Sequence, residues 1–135
     1  MKEVYADTLL WVALANTQDP WHSRAFEAFK KIGGTPLVTT QEVLAEFLTA
    51  LSGNRHRREL ALQIYHQIIR DPRTTVVIQS GASFTMGLDL YGKRLDKQYS
   101  LTDCISMETM RSRRMKKVLT NDHHFEQEGF EVLIR

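Results

Sequence analysis

Short apolar runs alternate along this chain with longer stretches in which apolar residues recur every three or four positions, the signature of strands interleaved with helices. Val4-Tyr5-Ala6 is an extended run that stops at Asp7, and residues 8–16, apolar at most positions, read as a helix. Asp19-Pro20 marks the next helix start, because proline is tolerated in a first turn. Ala25, Phe26, Ala28, Phe29 and Ile32 follow at helical spacing until Gly33-Gly34. Residues 36–39 predict a second strand. From about 41 to 52, Val43, Leu44, Phe47, Leu48 and Leu51 share a helical face, and residues 55–70 form a further helix that Asp71-Pro72 ends. The β-branched residues 74–79 predict a third strand. A helix over about 82–90, a polar turn over 92–98, a helix over 100–114, a strand over 117–120 and a fifth strand over 131–134 complete the pattern. Such alternation predicts a parallel sheet covered on both faces. With no repeat, low-complexity tract or linker, the expectation is one α/β domain over residues 1–135.

Composition narrows the classes. A chain of 135 residues that is 42% hydrophobic can bury a core of its own, which excludes intrinsic disorder. Cys104 is the only cysteine, so neither an intrachain disulfide framework nor a cysteine-rich zinc site is available. No apolar run approaches the roughly 20 residues of a membrane helix. Residues 8–15 end in Ala13-Leu14-Ala15, like a secretory cleavage site, but Lys2 is followed at once by Glu3 and Asp7 borders the apolar run. A cytoplasmic protein is therefore expected. The net charge is +2, unevenly spread: residues 1–54 hold four Lys/Arg against six Asp/Glu, and residues 55–135 fourteen against ten.

Ligands of an open parallel sheet bind beyond the carboxyl ends of its strands. Asp7 closes the first strand, and Asp122 follows the strand at 117–120. Glu46 lies on the helix after the second strand, off its Val43–Phe47–Leu51 stripe, and Asp103 begins a helix in Ser100-Leu-Thr-Asp-Cys104. Singly, each acid has an ordinary explanation. Asp7 suits a cap, Asp103 a capping pair with Ser100, Asp122 a turn and Glu46 a solvated helix face. Together they pose a problem, because carboxylates ~4 Å apart repel by roughly 4 kcal/mol per pair at an effective dielectric of 20. Protonation relieves this, and a hard divalent cation such as Mg²⁺ or Mn²⁺ relieves it directly. Other chemistries lack their motifs: there is no G-x-G-x-x-G, Walker A loop or G-x-S-x-G elbow. His123 and His124 are adjacent and point apart, so they read as loop or capping residues rather than a shared zinc site. Cys104 reads as a buried, inert thiol.

Val4-Tyr-Ala-Asp-Thr8, Val43-Leu-Ala-Glu46, Ser100-Leu-Thr-Asp-Cys-Ile-Ser106 and Leu119-Thr-Asn-Asp-His-His-Phe125 together resemble the motifs of PIN-domain ribonucleases, above all VapC-type toxins of toxin–antitoxin pairs. The resemblance spans nearly the whole chain. It implies a three-layer α/β/α fold around a five-stranded parallel sheet and metal-dependent endonucleolytic cleavage of RNA. Asp7, Glu46, Asp103 and Asp122 become the catalytic, metal-binding acids for one or two Mg²⁺ or Mn²⁺ ions, with Thr8 and Thr120 in support. Water would attack the phosphorus in line and the 3′-oxygen would leave, with no Arg or His essential. Asn121 departs from the apolar or aromatic residue of many relatives. An antitoxin partner and a homodimer are also implied. RNA needs positive surface, and two basic clusters supply candidates: Arg55, Arg57 and Arg58, then Arg111, Arg113 and Arg114. Each cluster reads equally as a solvated helix face. Trp11 and Trp21 suit core or dimer packing better than base stacking. A housekeeping RNA-processing nuclease and a catalytically inactive RNA-binding module are the alternative readings.

Overall fold

The computed structural model describes residues 2–135. Its strands are β1 (Val4–Ala6), β2 (Leu37–Thr40), β3 (Thr74–Val77), β4 (Lys117–Leu119) and β5 (Glu131–Val132). The helices are α1 (Thr8–Ala15), α2 (His22–Ile32), α3 (Gln41–Ala50), α4 (Arg55–Arg70), α5 (Gly81–Lys93), α6 (Leu101–Ser112) and α7 (His123–Gln127). All strand pairs are parallel, in the order β3-β2-β1-β4-β5. The chain steps outward from β1 to β2 and β3, then returns past β1 to β4 and β5. Right-handed crossovers therefore put α1–α4 on one face and α5 and α6 on the other. This is the α/β/α sandwich that the alternating pattern predicts.

The central strands are buried along almost their whole length because both faces are covered. Tyr5, Ala6, Val38, Val118 and Leu119 are fully buried. The signal-like stretch at 8–15 is α1, with Leu10, Trp11, Ala13 and Ala15 packed into the core. On the other face α5 meets α6 so closely that a Cβ on Gly87 would lie 2.4 Å from Ile105 Cγ1. Beneath the sheet's upper edge the Tyr5 hydroxyl lies 2.7 Å from Ser106 Oγ and donates to Thr40 Oγ1, which satisfies a polar group in an apolar layer.

Several boundaries differ from those predicted. Asp19-Pro20 does not start α2; the Asp19 side chain accepts from the Trp21 amide in a turn, and the helix begins at His22. The strands expected over 74–79 and 131–134 end at Val77 and Val132, whereas α5 runs on to Lys93. α6 stops at Ser112, two residues short of the predicted end. α7 was not predicted at all: His123 and His124, read as loop or capping residues, open a helix that Asp122 caps.

Candidate active site

The strand order reverses between β1 and β4, and it is beyond the strand ends at such a switch point that α/β sheets bind ligands. Ala6 pairs with Leu119, so the next residues of the two strands, Asp7 and Thr120, are neighbours. The Thr120 hydroxyl donates to Asp7 Oδ2 at 3.0 Å and accepts from the Asp122 amide at 3.2 Å. Asp7 sits at the N-cap position of α1, but its side chain makes no capping bond, so capping does not account for it. β2 runs beside β1 and leads into α3, which Thr40 caps. One turn on, Glu46 accepts a 2.6 Å hydrogen bond from Thr8 in the first turn of α1.

The other two acids arrive from the opposite face, on helix N-termini. Ser100 and Asp103 form a reciprocal capping box at the start of α6: the Asp103 amide donates to Ser100 Oγ, and the Ser100 amide to Asp103 Oδ2. Asp122 caps α7 by accepting from the His124 amide at 2.9 Å. The ordinary capping explanation for Asp103 is therefore true, Asp122 is a helix cap where the sequence suggests a turn, and the two acids still come together. One donor atom from each of Asp103, Asp122 and His124 lies within 4.8 Å of the others. His124 Nδ1 is 3.2 Å from Asp122 Oδ1 and 3.6 Å from Asp103 Oδ2; it is buried and forms no hydrogen bond with either. The sequence reading missed His124. Its partners are acids on other elements, not the neighbouring His123.

Burial and mutual repulsion set the electrostatics. Asp7 is 6% exposed, and its pKa is pushed up to about 7, first by burial and then by the charges of Asp103 and Glu46, against hydrogen bonds from the Thr8 amide and the Thr120 hydroxyl. Burial also raises Asp103, and Asp122 and Glu46 add to the effect, against the hydrogen bond from the Ser100 amide. Repulsion thus links Asp7 to Asp103 and Glu46, and Asp103 to Asp122 and Glu46, although Asp7 and Glu46 lie outside the tight group around His124. Helix N-termini supply partial positive charge that is too small to neutralise them. An all-oxygen set beside one imidazole suits a hard divalent ion.

The remaining candidates divide. Arg55, Arg57 and Arg58 are exposed in the first turn of α4, which runs back toward the start of β3 and so begins near the end of the sheet that carries the acids. Arg55 pairs with Glu59, and Arg58 donates to the Ser52 carbonyl. The Arg111 guanidinium is held by Glu108 and Glu128 over the Phe130 ring. Arg113 and Arg114 precede β4, at the end of the sheet away from the acids. Asn121 ties the loop before Asp122 to the Ile134 carbonyl. Trp11 is buried in the core, and Trp21 lies partly buried under Arg24. Cys104 is fully buried, with its thiol pushed up to about 11 by burial, as an inert thiol requires. No helix among the described residues is long and apolar enough to cross a membrane.

The fold is similar to that of VapC20 from Mycobacterium tuberculosis, a sarcin-ricin loop cleaving toxin, with a TM-score of 0.83 and 23% identity over 94% of this chain and 95% of that one. It is also similar to FitAcB from Neisseria gonorrhoeae, with a TM-score of 0.69 and 13% identity over 96% of each chain. At these identities the likeness is one of architecture. No curated protein matches the chain in sequence. The PIN-domain profile matches residues 4–131, from the first residue of β1 to the first of β5. The chain belongs to the PIN-domain family.

Proposed function

We propose that this chain is a divalent-metal-dependent endoribonuclease, the VapC-type toxin of a toxin–antitoxin pair acting in the cytoplasm as a single folded unit. The observation that carries the reading is that Asp103 and Asp122 come together, with Asp7 and Glu46 close enough to repel Asp103, and that no Lys or Arg among the described residues pairs with any of the four. These four would hold Mg²⁺ or Mn²⁺. Such an ion supplies Lewis-acid stabilisation of the charge that develops on a phosphodiester.

The chain's own residues prepare the pocket. Thr120 fixes Asp7, Thr8 fixes Glu46, the Ser100 amide fixes Asp103 and the His124 amide fixes Asp122. Each acid is therefore oriented before an ion arrives, which limits the reorganisation that binding requires. His124 acts as a positioning residue between Asp103 and Asp122. The similarity to VapC20, which cleaves the sarcin-ricin loop, supports a structured RNA as substrate. For the homodimer, α5 offers a stripe of exposed apolar side chains, Phe84, Leu88 and Tyr91, with Leu95 beyond its end.

The test is cleavage of a structured RNA by purified protein. Cutting is expected with Mn²⁺ or Mg²⁺ and none in chelator, and Asp103→Asn abolishes it. Cleavage that persists in chelator overturns the metal assignment, and metal-loaded protein that binds RNA without cutting it supports the inactive binding module instead.

A further inference from the structure

The end of the sheet away from the acids carries a second feature. Where the strands begin, residues before β1, β2 and β4, the end of α2 and β5 enclose a groove of about 1000 Å³. Lys2, Lys31, Arg113, Arg114, Lys116 and Lys117 line it, all exposed, against two acids, Glu3 and Glu131. The chain holds 18 Lys/Arg and 16 Asp/Glu, so outside the groove twelve cations face fourteen acids. All of the chain's positive excess is concentrated here. Arg113 pairs with Glu3, and the other five cations form no ion pair among the described residues.

A second observation falls on the same groove. α6 ends in a Schellman motif: the Met115 amide donates to the Met110 carbonyl at 2.8 Å, and the Arg114 amide to the Arg111 carbonyl at 3.0 Å. The motif places residue 114 at φ +56°, the left-handed region that favours glycine, and Arg114 is the only non-glycine residue with positive φ among those described. A side chain there costs about 1 kcal/mol. That cost falls on an exposed arginine whose guanidinium has no partner among the described residues, where a glycine would complete the cap without strain.

The groove's floor is apolar, from Val4, Ile32, Met115 and Leu133, and it contains no aromatic ring. It therefore offers phosphate contacts and a dry surface for ribose, but no platform on which bases stack. Strands of three or four residues at ~3.3 Å each separate the groove from the acids by about 10–13 Å plus loops. One phosphate cannot reach both ends, and one folded RNA can.

We propose that this groove is an exosite that holds the sugar–phosphate backbone of a folded RNA while the acid pocket engages the scissile bond. The choice of RNA as the polyanion rests on the nuclease reading above. The experiment titrates a fluorescent RNA hairpin into the full-length protein in chelator, so that binding is read without cleavage. It compares wild type with the triple variant Lys31→Gln, Lys116→Gln, Arg114→Gly. Each lost phosphate contact flattens the salt dependence of log K by about 0.7–0.9, so the variant's slope falls by about two to three and its low-salt affinity by tenfold or more. Its thermal midpoint does not drop, because the three side chains are exposed and glycine suits position 114.

With Mn²⁺ present, the variant cuts a short single strand at the wild-type rate and the hairpin with a raised KM. Equal affinity and slope for the two proteins overturn the exosite. Binding of poly-glutamate in place of the hairpin also overturns it, and points to an acidic protein partner. Should wild type cut no RNA at all, the nuclease reading fails, and the titration in chelator still decides the groove.

Discussion

Asp7 and Glu128 are both buried carboxylates, one 6% exposed and the other with a side chain 4% exposed, and the fold treats them in opposite ways. Glu128 accepts from Arg94 at 2.8 Å, from Arg111 at 2.5 Å and from the Tyr99 hydroxyl at 2.8 Å. Burial alone would raise its pKa, but these hydrogen bonds outweigh it and hold the group down to about 2. Asp7 has only the Thr8 amide and the Thr120 hydroxyl to set against its acidic neighbours, and burial drives it up to about 7. Burial raises both, more strongly at Asp7, and only at Glu128 do the neighbours outweigh it. Glu128 is a finished ion cluster that ties α5, α6 and the end of α7 together. The Asp7 pocket is electrostatically incomplete, and a divalent cation is the simplest completion.

Amide substitutions at the two positions should separate these roles most sharply. Asp7→Asn removes a charge the pocket does not favour, so the metal-free protein keeps or gains thermal stability. Metal-dependent RNA cleavage falls about a thousandfold or more, equivalent to about 4 kcal/mol at the transition state. Glu128→Gln does the reverse. The folded fraction cleaves normally, but losing charge-assisted hydrogen bonds to Arg94 and Arg111 costs about 2 kcal/mol, read as a fall of several degrees in the melting temperature. If Asp7→Asn unfolds the protein and leaves cleavage by the folded remainder intact, the two carboxylates play the same part and the comparison fails.

The two groups also give stability opposite pH dependences. The pKa of Asp7 is raised from 3.8 to about 7, so the folded state holds its proton more tightly than the unfolded state does. Its contribution is fully present below pH 3.8 and is lost as pH climbs through about 7. The pKa of Glu128 is lowered from 4.5 to about 2, so its contribution is present above 4.5 and is lost as pH falls toward 2. In chelator, the melting temperature should therefore decline by a few degrees between about pH 4 and 7. Asp7→Asn should flatten that limb, and saturating Mg²⁺ or Mn²⁺ should flatten or reverse it. A limb that metal leaves unchanged would mean that no cation enters the pocket.

How far the sequence foretold this arrangement depended on the range of the interaction concerned. The starts of β1, β3, β4 and β5 and the α4 span followed from local periodicity, and Asp7, Asp103 and Asp122 were singled out by their places after strands and at a helix start, Glu46 by lying off the apolar stripe of α3. α7 escaped because five residues, His123–Gln127, are too few to show a helical stripe. Its N-cap, Asp122, was visible but was weighed as a turn. His124 escaped because adjacency to His123 was the wrong comparison; its partners, Asp103 and Asp122, come from α6 and the α7 cap. Arg111 looked like an RNA contact because nothing local shows that Glu128, 17 residues on, folds back onto it. Arg113 and Arg114 carried the right charge, but the run 111–117 does not reveal which end of the sheet it occupies.

The smallest expected effect sharpens the comparison most finely, because it leaves every charge in place. Thr120 Oγ1 both donates to Asp7 and accepts from the Asp122 amide, so one hydroxyl aligns the acids at the ends of the two central strands. Thr120→Val keeps the shape and removes both bonds, at about 1 kcal/mol each in this buried setting. The metal concentration for half-maximal cleavage should rise about tenfold, the usual scale for losing a group that orients a ligand. The rate at saturating metal should change far less, because the ion restores the alignment once it binds. In chelator the pH limb assigned to Asp7 should steepen, since the bond that partly offsets its burial is gone. A mere packing role for Thr120 would lower stability at every pH equally and leave the metal dependence where it was.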